Sequence, residues 1–281
     1  MRPNEKFLNL PETFWANVRL ISQEVGYTAK GSNQIKVPST DEIKVKLNEL
    51  EVDFDRLQIQ KVVSQRMDTL LQEYFTYRAN VLNAYVEPRL MDVRKAKQVF
   101  RDYRARLKPS CPLPMNKQKG VKKAPAYLTG LVNMLIEANS KGLPCDYDPH
   151  QLTVFTRGGL PLRTLARRVD GAFPSSVNPI AIWEIKEYYY TTTFGSRVAD
   201  GIYESLLDGL ELEELREHEN IKVQHYLIID AHDTWWEQGK SYLCRIVDML
   251  HMGLIDEVLF GYEVVERLPS LVKEWASQMV K

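Results

Sequence analysis

The stretch NPIAIWEIKEYYYTT, residues 178–192, places charged side chains inside an apolar run. Its composition is typical of a β-strand, in which alternate residues face the same way. Glu184 and Lys186 would therefore point to one face. Trp183 and Ile185 would point to the other face. Apolar residues precede the charged pair on both faces, which favours a central strand covered by helices. Burying Glu184 there is costly unless Lys186 or a bound cation compensates its charge.

A second carboxylate lies fourteen residues upstream of Glu184. Asp170 belongs to LARRVDGAFP, residues 165–174, and we expect it late in the preceding strand, before Gly171 allows the chain to turn. Neighbouring strands lie about 4.8 Å apart, so Asp170 and Glu184 should approach closely. Two such carboxylates raise each other's pKa unless a divalent cation neutralises them. Hard oxygen ligands favour Mg²⁺, with Mn²⁺ as a substitute. Lys186 would then orient the attacking water or stabilise charge on a phosphate.

The pattern of Asp170, Glu184 and Lys186 resembles the PD-(D/E)xK nuclease superfamily. In that superfamily an Asp, a spacer with a turn, and an apolar strand ending in Glu-x-Lys form the active site. Val169 stands where the family name has proline, a departure that many members share. The α-β-β-β-α-β core of the superfamily matches the predicted elements from about residue 125 to 232. The resemblance therefore implies a restriction-endonuclease-like core.

The resemblance also implies an activity. The size of the chain and its helical N-terminal extension are most similar to a type II restriction endonuclease, which cuts double-stranded DNA with Mg²⁺, commonly as a homodimer. Asp170 and Glu184 would hold the metal, and Lys186 would assist the water. A carboxylate from the helix before the first strand often joins such a site, and Glu137 in LVNMLIEANSK is placed for that role. A DNA methyltransferase that modifies the same site is a candidate partner. Two alternatives stay open: a repair or junction-processing nuclease, and a DNA-binding protein without catalysis, in which the charged residues are structural.

The remaining sequence predicts a mixed α/β (α+β) protein with two regions. Residues 1–124 predict a mainly helical region for DNA recognition, and residues 125–281 predict the nuclease domain. In the first region we expect helices over 11–24, after Ser39 or Thr40, over 55–86 and over 88–107, then a loop over 108–125. In the second region we expect a helix ending at Gly142, two strands joined at Gly158-Gly159, strands over 179–190, 221–232 and 255–265, and helices over 197–214 and 239–252.

A basic block interrupts a chain whose net charge is zero. From Pro88 to Lys123 there are twelve Lys and Arg residues, against Asp92 and Asp102. Such a one-sided block predicts a polyanionic partner. The predicted phosphate contacts are Arg94, Lys97, Arg101 and Arg104 on one helix face, Lys119, Lys122 and Lys123 in the loop, and Arg197 after the Glu-x-Lys strand. The alternatives are a solvated helix face and a pairing of the block with the acidic helix over 200–219.

Composition argues against several other classes of protein. The sequence has no run of about 18 apolar residues, so no membrane span is predicted. The first residues lack the apolar segment of a signal peptide. The three cysteines, Cys111, Cys145 and Cys244, are scattered, which argues against a disulfide framework or zinc site and predicts a cytoplasmic location. No phosphate-binding loop, dinucleotide-binding, HExxH or GxSxG motif is present. Less specific candidates are Glu187 as a charge at the sheet edge, and Gln224 or His225 as a neighbour of the site.

Overall fold

The structure is a computed structural model that describes residues 1–29, 31–62, 64–118, 121–190 and 195–279. Within those ranges the side chains of residues 117–118, 121–123 and 196–197 are not described. The protein has a mixed α/β architecture in which helices cover both faces of a small mixed sheet.

The N-terminal region consists of short helices around an apolar cluster. Its elements are α1 (Glu12–Val25), α2 (Thr40–Glu49), α3 (Phe54–Ile59), β1 (Lys61–Val62), β2 (Gln65–Arg66) and α4 (Met67–Val81). Ser39 caps α2 as predicted: its hydroxyl accepts from the Glu42 amide at 3.2 Å, and the Glu42 carboxylate accepts from the Ser39 amide at 3.0 Å. The single long helix predicted over 55–86 is wrong, because β1 and β2 form a tight hairpin in which Ser64 has a φ of 70°.

The basic segment follows a π-helical turn over residues 82–86 and a short 3₁₀ turn over 87–89. It contains α5 (Val93–Leu107), β3 (Met115–Gln118) and β4 (Val121–Pro125). Asp92 caps α5 by accepting from the Lys95 amide at 2.7 Å. The loop predicted over 108–125 is wrong in its second half, where β3 and β4 pair as an antiparallel hairpin.

The rest of the chain builds the main sheet and its helices. Its elements are α6 (Tyr127–Asn139), β5 (Asp146–Tyr147), β6 (Val154–Arg157), β7 (Leu160–Thr164), β8 (Gly171–Phe173), β9 (Ala181–Glu187), α7 (Ser196–Glu219), β10 (Gln224–Asp230), α8 (Lys240–His251), β11 (Glu257–Phe260) and α9 (Glu263–Gln278). The strand order is β11-β10-β9-β8-β5. Strand β8 pairs antiparallel with both β5 and β9, whereas β9, β10 and β11 are parallel to one another. The prediction of a central, doubly covered strand is confirmed for β9.

Two of the predicted strands lie elsewhere. The hairpin predicted at Gly158-Gly159 forms, but β6 and β7 make a separate two-stranded sheet. Asp170 was expected late in a strand before a turn at Gly171; instead it lies directly before β8, and Gly171 is part of that strand. Gly171 is required for space, because a Cβ there would lie 2.1 Å from the Trp183 indole. The chain turns only after Phe173.

The two faces of β9 pack against different helices. Trp183 and Ile185 join an apolar cluster with α5, α6 and α9. The opposite side of the sheet, including Leu227 and Ile229 of β10, packs against α7 and α8. Glu184 and Lys186 point to that second face. Among the described helices, none has the length and apolarity needed to cross a bilayer.

Candidate functional site

Asp170 and Glu184 lie side by side on neighbouring strands. Gly171 pairs with Trp183, which places the preceding Asp170 opposite Glu184. The Asp170 amide donates to Glu184 Oε1 at 3.2 Å, and the Ile185 amide donates to Asp170 Oδ2 at 2.7 Å. The structure therefore brings together the two predicted metal ligands. Asp170 does so from the residue directly before β8, and not from the end of a strand as expected.

Lys186 completes the predicted triplet. Its Nζ donates to Glu184 Oε2 at 2.9 Å and to Glu204 Oε2 at 2.6 Å. Helix α7 approaches Lys186 closely at Gly201, where a Cβ would meet the Lys186 side chain at 3.1 Å. The ammonium is thus held between the central strand and α7, on the same side of the sheet as Glu184.

Three further residues, which the sequence did not point to, join the site. Arg167 Nη1 lies 2.8 Å from Glu184 Oε1 and 2.7 Å from Asp208 Oδ2, and Arg167 Nη2 lies 3.4 Å from Glu204 Oε2. The available signals were the position of Arg167 three residues before Asp170 and the four-residue spacing of Glu204 and Asp208 on a predicted helix. The sequence placed these two acids only within the acidic helix over 200–219. We call Asp170, Glu184, Lys186, Arg167, Glu204 and Asp208 the carboxylate cluster.

The carboxylate cluster holds more acids than cations. Four carboxyl groups surround two cations, Arg167 and Lys186. Burial, together with the charge of Glu184, raises the pKa of Asp170 to about 7. Burial also raises the pKa of Asp208 to about 7, although Arg167 opposes the shift. Against the effect of burial, Lys186 and Arg167 hold the pKa of Glu184 below its usual value. Protonation of Asp170 and Asp208 therefore reduces the net negative charge of the carboxylate cluster.

Glu137 and Glu187 do not reach the carboxylate cluster. The Glu137 carboxylate accepts hydrogen bonds from the amide and hydroxyl of Ser110. Helix α6, which carries Glu137, packs on the face of β9 that bears Trp183, opposite to Glu184. Glu187 also points to the α6 side, where it binds backbone amides at the start of that helix. It is largely buried there and is not a charge at the sheet edge.

His225 lies beside the carboxylate cluster, whereas Gln224 does not. In the parallel register His225 pairs with Ile182 and so shares the face of Glu184. Burial lowers the pKa of His225, its Nδ1 contacts the Leu254 carbonyl at 2.8 Å, and its Nε2 is buried without a partner among the described residues. Gln224 pairs with Ala181 and faces the other side, where its Oε1 accepts from the Tyr226 hydroxyl.

The basic helix presents its cations to solvent. Arg94, Lys97, Arg101 and Arg104 are exposed on α5, and in the described ranges none of them lies within ion-pair distance of an acid, so no pairing with acidic α7 is seen. Three of them line a groove of about 720 Å³ together with Phe100 and Tyr190. Tyr190 follows β9 by three residues, which places the groove at the end of the strand that carries Glu184 and Lys186. Lys119 lies outside the described residues, as do the side chains of Lys122, Lys123 and Arg197.

Comparison with protein families divides the chain near residue 90. A family model matches residues 91–275, about two thirds of the sequence and the whole of the main sheet. The chain belongs to the family described as Domain of unknown function (DUF7687). A second model, described as Domain of unknown function (DUF7690), matches residues 1–85. No curated protein and no solved structure matches the chain significantly. The DUF7687 match includes α5, which packs its buried Val99 and Phe100 against α6.

The carboxylate cluster contains oxygen donors of the type that hard cations prefer. No group of three or more His, Cys, Asp or Glu side chains in the described part of the chain is arranged to hold a metal ion. Mg²⁺, however, keeps several waters and needs only one or two protein carboxylates. Asp170 and Glu184 supply such a pair. Asp208 Oδ1 is buried without a hydrogen-bond partner among the described residues, and the excess of acids over cations equals the charge of one divalent ion. Asp170 and Glu184 are therefore the residues of the cluster that could hold a hard cation such as Mg²⁺ or Mn²⁺.

Proposed function

We propose that this chain is a Mg²⁺-dependent endonuclease that hydrolyses the phosphodiester bonds of duplex DNA. The observation that carries the proposal is the placement of Asp170 beside Glu184 on adjacent strands, with Lys186 on the same face of the buried sheet. Carboxylate pairs are costly to bury without a cation. Such a pair beside a lysine matches what a metal-dependent phosphodiester hydrolysis requires.

The order of elements around the site supports the proposal. Helix α6 is followed in the main sheet by β5, β8 and β9, then by α7 and β10. The first three strands are antiparallel, and β10 runs parallel to β9. This order agrees with the α-β-β-β-α-β order expected of a PD-(D/E)xK core, if the β6–β7 hairpin is counted as an insertion after the first strand. We therefore propose a restriction-endonuclease-like core over residues 127–230.

The residues of the chain would divide the work as follows. Asp170 and Glu184 would hold Mg²⁺, which when bound neutralises phosphate charge and acidifies water. Lys186 would place a positive charge beside the reacting phosphate. Arg167 now bonds to Glu184, so it competes with any cation for that carboxylate. The groove lined by Lys97, Arg101 and Arg104 would hold the DNA backbone. Cutting both strands would require two copies of the chain.

A second candidate function follows from the contacts of Arg167. Because Arg167 and Lys186 already bridge the carboxylates, the carboxylate cluster could serve as a structural ion network in a DNA-binding protein without catalysis. In that case wild type would not cleave DNA, and substitutions in the cluster would change only the stability of the protein. A repair or junction-processing nuclease would share the site and differ only in its substrate.

The first experiment is incubation with mixed-sequence linear duplex DNA and Mg²⁺, followed by sequencing of the ends. Discrete ends would indicate restriction, and scattered ends would indicate a non-specific nuclease. A branched junction incubated in parallel tests the repair alternative, which predicts cleavage of the junction and not of the linear duplex. Mn²⁺ should replace Mg²⁺, whereas Ca²⁺ should support binding without cutting, because it activates water poorly. Cleavage in excess chelator would remove the metal from the mechanism.

The matched variants test the assignment of residues. Glu184→Ala, Asp170→Asn and Lys186→Ala should each slow cleavage by about a hundredfold or more, as loss of a group that stabilises the transition state does. Asp230→Asn is the control, because Asp230 is a buried carboxylate on the neighbouring strand β10 that binds Tyr189 and Met91 instead. Folding of each variant is checked by thermal melting. Near wild-type cleavage by folded Glu184→Ala would show that the site is assigned wrongly.

A further inference from the structure

A cavity of about 530 Å³ lies where α1 meets α7 and α8. Its walls come from both family-matched regions: Arg19, Gln23 and Tyr27 belong to residues 1–85, and Tyr203 and Arg245 belong to residues 91–275. Small-molecule sites occur preferentially at such boundaries, with volumes of about 300–1,000 Å³. The cavity is separate from the carboxylate cluster, since Glu204 and Asp208 face the sheet on another side of α7.

The cavity carries positive charge without a compensating acid. Arg245 lies over the Tyr242 ring at 5.4 Å, and the ionisable groups that act on its charge are tyrosines: Tyr27, Tyr203 and Tyr242. The described contact of Arg19 is with the sulfur of Met252 at 3.2 Å. In the described ranges neither guanidinium lies within ion-pair distance of a carboxylate.

Asp248 also lines the cavity, but its carboxylate is occupied. Arg78 Nη1 lies 3.0 Å from both carboxylate oxygens, and the Tyr74 hydroxyl donates to Oδ1 at 2.6 Å. Asp248 therefore does not compensate Arg19 or Arg245. Two guanidinium groups around one cavity favour an anionic ligand, and phosphate oxygens match their geometry.

Two tyrosines among the otherwise mainly aliphatic walls suit a flat ring. Tyr203 is 56% exposed, a large fraction for an aromatic side chain, and Tyr27 contributes a second ring. Exposed tyrosine faces stack on aromatic rings. Gln23 adds an amide that can both donate and accept hydrogen bonds. We propose that this cavity binds a nucleoside monophosphate, with the phosphate on Arg19 and Arg245 and the base against the tyrosines.

Titration calorimetry of the full chain with AMP and with dTMP tests this proposal. At least one of them should bind, and its nucleoside, which lacks the phosphate, should bind at least about tenfold more weakly, because each charge-assisted contact is worth more than a factor of ten. Arg245→Ala should weaken nucleotide binding by a similar factor, and Arg245→Lys by less. The matched control is Arg106→Ala, which removes an exposed arginine that lies 4.1 Å over the Tyr103 ring and does not line the cavity.

Three results would overturn the proposal. They are no binding of either nucleotide, equal binding of nucleotide and nucleoside, and unchanged binding by Arg245→Ala. If Arg245→Ala does not fold, Tyr203→Ser takes its place, since Tyr203 is largely exposed and its loss should cost affinity through stacking alone. Light scattering measures the oligomeric state of wild type and of Tyr203→Ser. A wild-type dimer that dissociates on this substitution would show that a second copy of the chain, and not a nucleotide, occupies the cavity. None of these measurements depends on DNA cleavage.

Discussion

At the residue scale, the sheet contains a buried carboxylate that no cation compensates among the described residues. Asp230 ends β10, and its Oδ1 accepts from the amides of Met91 and Ala231 at 2.7 and 2.8 Å, while its Oδ2 accepts from the Tyr189 hydroxyl. It holds the segment just before α5 to the carboxyl end of β10. Burial raises the pKa of Asp230 to about 8, although these hydrogen bonds oppose the shift.

This raised pKa predicts a pH dependence of folding. The folded protein holds the Asp230 proton more tightly than the unfolded chain, whose ordinary carboxyl pKa is about 4. The contribution of Asp230 to stability is therefore fully present below pH 4 and is lost as the pH rises to 8. Asp230→Asn, which keeps the shape and cannot ionise, should become progressively more stable than wild type over this range. Urea unfolding between pH 4 and 8 measures it.

The control for that series is Asp102→Asn, an exposed Asp on α5. Its stability difference from wild type should stay within about 0.5 kcal/mol across the range. A constant difference between Asp230→Asn and wild type would show that Asp230 does not titrate as we expect.

At the element scale, the sequence predicted those features that depend on local pattern. The alternation in β9, the Ser39 cap of α2 and the helix that became α7 all follow from side-chain spacing within one element. The short strands β5 and β8 could not be predicted in this way, because two or three residues are too few to show the alternation of side chains that marks a strand. The proximity of Asp170 and Glu184 could be predicted because only fourteen residues separate them, which allows consecutive strands to place them side by side. Arg167 was missed because its partners Glu204 and Asp208 come from another element, and only packing of α7 on the sheet brings them together.

The start of α6 depends on a side chain from β9. Glu187 accepts from the amides of Tyr127 and Thr129 at 2.8 and 3.0 Å and from the Asn116 side chain at 3.0 Å. These contacts satisfy donors that a helix leaves free at its first turn and place a negative charge at the positive end of the helix dipole. Glu187→Ala should therefore lower the free energy of unfolding by roughly 2–3 kcal/mol.

Denaturant unfolding of Glu187→Ala and Glu187→Gln checks this prediction. Gln keeps an acceptor oxygen, so it should recover part of the loss. DNA cleavage by the folded variants should persist, because Glu187 faces away from Lys186. A loss of cleavage without a loss of stability would instead place Glu187 in the active site.

The exposed face of α5 gives a second prediction at this scale. Replacing Arg94, Lys97, Arg101 and Arg104 with Gln should weaken DNA binding equally for all sequences, because phosphate contacts carry no base information. Each lost contact should reduce the slope of log K against log salt by about one unit. The melting temperature should not change, since no acid lies within ion-pair distance of these cations among the described residues. An unchanged slope with a lower melting temperature would favour an intramolecular role.

At the scale of the whole molecule, a buried ion pair joins the two family-matched regions. Arg78 of α4 binds Asp248 of α8 and also donates to the Ser22 hydroxyl of α1 at 3.0 Å. Both charged side chains are less than 10% exposed. Helices from residues 1–85 therefore reach the α8 side of the sheet through a buried polar contact that lies beside the apolar clusters.

This pair predicts how firmly the regions are coupled. Asp248→Ala leaves the Arg78 charge buried without a partner, which should cost about 3–5 kcal/mol, whereas the double variant Arg78→Met with Asp248→Leu should recover much of that loss. The control is Glu49→Ala, which breaks the exposed pair with Lys46 and should cost under about 1 kcal/mol. Because the pair sits between the regions, Asp248→Ala should also separate the unfolding of α1–α4 from that of the sheet, giving two transitions in denaturant where wild type shows one. A single transition with a loss below 1 kcal/mol would mean that the Arg78–Asp248 pair does not couple the two regions.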